Sequence, residues 1–200
     1  MKVENKHTKI IAAATKVFAK KGFFTARISD IAKEAKVADG TIYLYFNNKY
    51  DILLSVFEEE VGKIVESTEK LLRLEDDPRR QLEIFCSQHL HSMKKNRYLA
   101  EVLQIELRQP YKLIKEYRDN TFSKYTGIIA EIIRNGQRLG LFRPELHPDL
   151  AKRCIFGALD ELSRVWNASL ETNYTVEEIT NQVLAIFLIG LEVTRSSEEG

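Results

Sequence analysis

Three hydroxyls and an ammonium, on Thr41, Tyr43, Tyr45 and Lys49, fall within nine residues of the stretch VADGTIYLYFNNK (residues 37–49). Only two large aliphatics, Ile42 and Leu44, accompany them, which is few for a core helix. Side chains that donate hydrogen bonds at this density suit a polar, anionic surface, and phosphate oxygens are the obvious acceptors. Ala38, Asp39 and Gly40 precede them and are small enough to let another backbone approach closely. Amides at a helix start favour anions, whereas Lys49 stands at the start of the next helix, where the dipole disfavours a cation. A phosphate outside the helix is therefore the expected partner of Lys49.

Those residues need elements to hold them, and the apolar periodicity supplies helices nearly everywhere. Ile10, Ile11, Ala14, Val17 and Phe18 form one stripe that Gly22 ends. Ser29 is expected to cap a short second helix with Ile31, Ala32 and Ala35 inward. A third helix runs from Asp39-Gly40 to about Phe46, with Ile42 and Phe46 turned inward. Asn48 caps a fourth, and Asp77-Pro78 opens a fifth that turns Leu82, Phe85, Cys86, His89, Leu90 and Met93 inward. Further helices are expected around 100–107, from about 111 to 139, and from Pro148, the last of these with Leu150, Cys154, Ile155, Leu159, Leu162 and Trp166 inward. Thr175 and Glu178 form a capping box for the final helix, which carries Ile179, Val183, Ile186, Phe187 and Gly190. No alternating run is long enough for a strand. The fold class is all-α, with about nine helices.

Composition sets the outer limits. Two hundred residues, 44% hydrophobic and 30% charged, suit one or two soluble domains. No apolar run is long enough to span a bilayer, and the N-terminus meets charge too early for a signal peptide, so a cytoplasmic protein without a membrane partner is expected. The net charge of +1 conceals an uneven distribution: residues 1–49 carry +6 and the remainder −5. A basic head on an acidic body suits a polyanion-binding module joined to something else. Cys86 and Cys154 are far apart and read as buried thiols rather than ligands or a disulfide. His89 and His91, two apart, face different sides of a helix and cannot share a metal. With no glycine-rich phosphate loop, GxSxG or HExxH, neither an enzyme nor a metal or other cofactor is expected.

Three short helices with the turn KVADG between the second and third make a helix-turn-helix, whose second helix fits the major groove. The run GFFTARISDIAKEAKVADGTIYLYFNNKYDIL resembles the N-terminal DNA-binding domain of the TetR family of bacterial regulators over about residues 8–55. Helix lengths, turn and aromatic positions agree together. Two positions depart: Lys36 where the family's turn has glycine, and Arg27 where threonine is common. Lys36 is expected to take a left-handed backbone conformation. The resemblance implies phosphate contacts for Ser29, Thr41, Tyr45 and Lys49, and base contacts for Gly40, Tyr43 and Leu44. Arg27, Ala38 and Asp39 lie on the same DNA side. It also implies residues 1–50 as the DNA-binding domain and 51–200 as the ligand-binding and dimerisation domain.

The body adds QIELRQPYKLIKEYRDN (104–120) and FGALDE (156–161), and with them the chain resembles FadR-type members of the family. Such members repress fatty-acid degradation genes and release double-stranded operator DNA on binding long-chain acyl-CoA. An acyl chain needs an apolar tunnel, for which Leu103, Leu107, Tyr111, Phe122, Tyr125, Ile129, Phe156 and Trp166 are the expected lining. Arg108, Lys112, Lys115 or Arg118 would meet the CoA phosphates, and Asp160, on an apolar face, needs a partner. Small residues among large ones in the last two helices suit a homodimer interface. Two readings compete: a TetR-type repressor of another amphipathic or aromatic compound such as a drug, and a lipid- or acyl-binding module whose basic head touches membranes or proteins. The turn and polar recognition helix disfavour the latter, since a membrane helix shows one continuous basic face.

Overall fold

In the computed structural model, residues 5–106, 121–168 and 174–193 are described. Among them are nine helices and no sheet: α1 Lys6–Lys21, α2 Ile28–Ala35, α3 Asp39–Ile42, α4 Lys49–Leu72, α5 Pro78–Lys95, α6 Arg97–Glu106, α7 Thr121–Arg138, α8 Pro148–Ala168 and α9 Val176–Leu191. The chain divides into two compact units, Met1–Lys63 with Met93–Phe122, and Ile64–Ser92 with Ser123–Gly200.

In the first unit the expected stripe of α1 is buried throughout, together with Ile31 and Ala32 of α2, Ile42 of α3 and Phe46. Phe23 closes this core, its ring 5.5 Å from Phe18 and 4.7 Å from Tyr50. A fully buried Phe of this kind contributes about 1.5–3 kcal/mol by leaving water. Gly22 ends α1 at φ 72°, and Lys36 does adopt the left-handed conformation, φ 56° and ψ 46°. The cap of α2 differs from expectation. Arg27 is the N-cap residue and Ser29 sits inside the helix, because Asp30 supplies the capping carboxylate and accepts the Arg27 N–H at 3.0 Å. Salt-bridging to Lys21 at 2.7 Å, with that N–H, holds the Asp30 carboxyl below its ordinary range. The third helix is also shorter than expected: α3 stops at Ile42, and residues 43–45 form tight turns in which Leu44 and Tyr45 donate to carbonyls three residues back. Pulling Phe46 into the core while Tyr43 to Tyr45 stay in solvent requires this tighter winding.

In the second unit Leu82, Phe85, Cys86, His89 and Leu90 of α5 are buried as the periodicity expects, as are Tyr125, Ile129, Ile132 and Ile133 of α7 and Ile155 and Leu159 of α8. The turn after α7 is locked. Gly140 takes φ 68°, and the Phe142 ring lies so close over Gly136 that a Cβ there would fall inside it. Leu141 and Phe142 donate to the Gly136 carbonyl at 2.9 and 3.1 Å. Arg143 N–H donates to Leu191 O at 2.7 Å, and Val193 N–H to Leu141 O at 3.2 Å. The capping box of Thr175 and Glu178 is present, with bonds of 2.7 and 3.1 Å.

The outer faces of α8 and α9 correct the burial pattern. Leu150, Cys154, Leu162 and Ile186 are exposed rather than inward, and Val165 and Ile189 beside them are exposed as well. Helical periodicity marks a residue as apolar-facing without saying whether its neighbour belongs to the same chain. No helix among the described residues is long and apolar enough to cross a membrane.

Candidate nucleic-acid interface and ligand site

The turn of residues 36–38 aims α3 outward. Ala38, Asp39 and Gly40 are exposed, Thr41 is half-buried, and Tyr43, Leu44 and Tyr45 are 58%, 81% and 40% exposed. Arg27 and Ser29 on α2 are exposed as well. Nothing lies within 4 Å of where a Gly40 Cβ would stand, so the fold itself does not require glycine there. The missing side chain leaves room only for something outside the chain. Tyr45 keeps its ring edge-on to His7 at 5.9 Å, and His7 in turn stacks on Phe46 at 5.0 Å and pairs with Glu59 at 3.1 Å. Lys49 has an inward task that its sequence position does not reveal. Its ammonium donates to the carbonyls of Phe24 at 3.0 Å and Ala26 at 2.8 Å, and lies 4.7 Å from the Phe23 ring centre. One of its three donors is left over for a phosphate.

The chain belongs to the TetR family.

Residues 10–56 match the family described as bacterial regulatory proteins, tetR family, and residues 57–190 match YsiA-like protein, C-terminal region. A fatty acid metabolism regulator protein of Bacillus subtilis is 34% identical over 93% of this chain and 95% of its own. Two solved structures have the same fold. The B. subtilis regulator FadR in complex with stearoyl-CoA has a TM-score of 0.85 at 34% identity, covering 92% of this chain and 98% of that one. FadR from Bacillus halodurans has a TM-score of 0.85 at 35% identity, covering 95% and 98%. This TetR-family chain is thus a helix-turn-helix DNA-binding transcriptional regulator and not an enzyme.

The residues expected to line a tunnel fall in different places. Leu103 is buried and Phe122 half-buried, both in the first unit. Leu107, Arg108, Tyr111, Lys112, Lys115, Arg118 and the side chain of Trp166 lie outside the described residues. In the second unit Tyr125 and Ile129 are buried and Phe156 and Asp160 half-buried. Tyr125 and Phe156 do come together, around a histidine to which the sequence assigns no role. His89 lies 5.4 Å from Phe156 and 6.1 Å from Tyr125, with Nδ1 3.0 Å from the Tyr125 hydroxyl. Phe85 adds a ring 5.1 Å from Tyr125. Burial pulls the His89 pKa down to about 4, so the imidazole is neutral at physiological pH, and it pushes the Cys86 thiol up to about 12. One signal does exist in the sequence: His89 falls on the inward stripe of α5, where a histidine is out of character.

An open groove of about 600 Å³ lies on the other face of α7. Its cations, Arg73, Lys124, Arg134, Arg138 and Lys152, outnumber its carboxylates, Glu69, Glu131 and Asp149. Arg134 and Lys152 pair with Asp149 at 3.2 and 2.6 Å, and Lys124 lies 3.9 Å from Glu69. Arg138 meets no carboxylate among the described residues, only Asn135 Oδ1 at 3.2 Å. The basic residues near 112–118 stand out in the sequence because they are clustered; these five are scattered over 80 positions and carry no local pattern.

Proposed function

We propose that this regulator is a homodimeric repressor of fatty-acid metabolism genes that leaves its operator when a long-chain acyl-CoA binds the second unit. Residues 1–50 are the DNA-binding domain and 51–200 the ligand-binding and dimerisation domain. The observation that carries the reading is the likeness, along 93% of the chain, to a fatty acid metabolism regulator. A neutral, aromatic interior at Phe85, Tyr125 and Phe156 supports an acyl chain as ligand. The cation-rich groove supports phosphates as its head.

On the DNA side, Ser29, Thr41 and Tyr45 hydroxyls and the remaining Lys49 donor take phosphates, with Arg27 nearby. Ala38, Asp39 and Gly40 let the backbone approach the groove, where Tyr43 and Leu44 meet base edges. One such head covers too few base pairs for useful specificity, so two are required on a palindrome. The exposed apolar side chains of α8 and α9, with Ile189 80% exposed, support the pairing surface. The effector shifts the dimer only by its differential affinity for the two head spacings, so the spacing that does not fit DNA binds acyl-CoA more tightly.

The test is a gel-shift with the DNA upstream of the protein's own gene. Palmitoyl-CoA is expected to release the complex, while free CoA and palmitate leave it intact. A complex indifferent to all three removes the effector assignment and leaves the repressor standing.

A further inference from the structure

Among the described residues, three buried side-chain polar atoms have no hydrogen-bond partner, and all three lie in the second unit: Thr68 Oγ1, His89 Nε2 and Ser163 Oγ. Two other buried helical hydroxyls among the described residues satisfy themselves. Thr15 donates to Ile11 O at 2.9 Å and Thr180 to Val176 O at 2.8 Å. An orphaned polar atom in a core costs stability and is rare in folded proteins. In place of His89, an apolar residue of similar size would pack among Phe85, Tyr125 and Phe156 without that penalty.

We propose that His89 Nε2–H is the hydrogen-bond donor for the thioester carbonyl of the bound acyl chain, with Tyr125 as its positioning residue. The proposal rests on the acyl-CoA reading above. Its chemistry follows from the geometry. If the Tyr125 hydroxyl donates to Nδ1 across the observed 3.0 Å, the ring proton must sit on Nε2, which is then a buried donor without a partner. The aromatic surroundings suit a neutral acceptor. A carboxylate there would bring a charge into the same apolar setting that already keeps His89 uncharged. A thioester carbonyl accepts the bond with no charge to desolvate, so one residue both anchors the effector and separates acyl-CoA from free fatty acid. Phe156, 5.4 Å from the imidazole and 6.2 Å from the Tyr125 ring, completes the aromatic setting.

The experiment compares binding of palmitoyl-CoA with that of its thioether analogue S-hexadecyl-CoA, which has the same chain and head but no carbonyl oxygen. Full-length protein is expected to favour the thioester by about tenfold, the worth of one well-made buried hydrogen bond. His89→Phe is expected to bind both ligands alike, and His89→Gln, which keeps an N–H donor, to retain part of the preference. Isotope-edited infrared spectra should show the bound thioester carbonyl shifted to lower frequency in the wild type and His89→Gln but not in His89→Phe. Should His89→Phe fail to fold, His89→Leu serves the same comparison. Equal binding of thioester and thioether by a wild type that palmitoyl-CoA still releases from DNA overturns the His89 assignment alone. An unshifted carbonyl in the wild type does the same. A wild type that binds neither ligand overturns the assignment together with the effector reading beneath it.

Discussion

The two units handle their polar groups in opposite ways. In the first, the candidate DNA-contact side chains point outward from a core whose buried side-chain polar atoms are all satisfied among the described residues. In the second, the outside carries the apolar α8–α9 face and the cation-rich groove, and a further irregularity lies within, where Thr68, His89 and Ser163 go unpartnered. A surface site can be built on a fully consistent core, since its partner arrives from solvent. An interior site must leave something incomplete in the core itself, at a cost in stability.

Breaking the first core should have the largest effect. Phe23→Ala is expected to cost about 3–5 kcal/mol, since it leaves a cavity beside Phe18 and removes the ring under Lys49. Operator binding should be lost, while palmitoyl-CoA binding, followed by calorimetry, persists. Retained DNA binding would mean that the head tolerates far more disorder than its packing suggests.

Next in size is a pH effect confined to the second unit. His89 has a folded pKa of about 4 against an ordinary value near 6.5, so between those limits the unfolded chain binds the additional proton. The resulting stability difference is absent above pH 6.5 and grows as pH falls, reaching about 3 kcal/mol of lost stability near pH 4. Denaturant midpoints measured from pH 7 to pH 4 should therefore drop less steeply in His89→Phe than in the wild type. Parallel curves would mean that His89 is accessible to protons in the folded state.

Gly40→Ala isolates the opposite case. With open space around its Cβ, the variant should keep or slightly raise the melting temperature, because alanine is the better helix former. Operator affinity is expected to fall about tenfold if the DNA backbone needs that space. The smallest effect is assigned to Arg138→Ala in the groove. Loss of one exposed cation should weaken palmitoyl-CoA binding by about threefold and leave DNA binding by the free protein unchanged, as salt-screened contacts of this kind contribute well under 1 kcal/mol.

The same division governs how much of each unit is legible in the amino-acid sequence. The head is local: the turn, the small residues 38–40, the hydroxyls and the flanking Ile42 and Phe46 lie within a few turns of each other, so spacing alone assembles them. Even there, spacing omits tertiary partners. Lys49 reads as a free cation, yet it braces carbonyls 23 and 25 positions earlier. Ser29 reads as a cap until Asp30 outcompetes it. In the body, the helices are legible from period and caps, as with Thr175 and Glu178. The candidate site is not, because His89, Tyr125 and Phe156 come from three helices up to 67 positions apart and share no motif. Leu150, Cys154 and Ile186 mislead for a related reason: an apolar stripe says that a residue seeks cover, and the cover can belong to a second subunit.

The locked turn after α7 has a mechanical consequence. With the Phe142 ring wedged over Gly136 and two backbone bonds joining residues 141 and 143 to the end of α9, that turn has no slack. Arg79 ties the same end of α9 to α5 through Glu192. A push on Tyr125 that slides α7 cannot be absorbed where the helix ends. It must either break those bonds or pull on the C-terminal end of α9, which makes the turn a clasp between the Tyr125 side of α7 and the helix that carries Ile186 and Ile189.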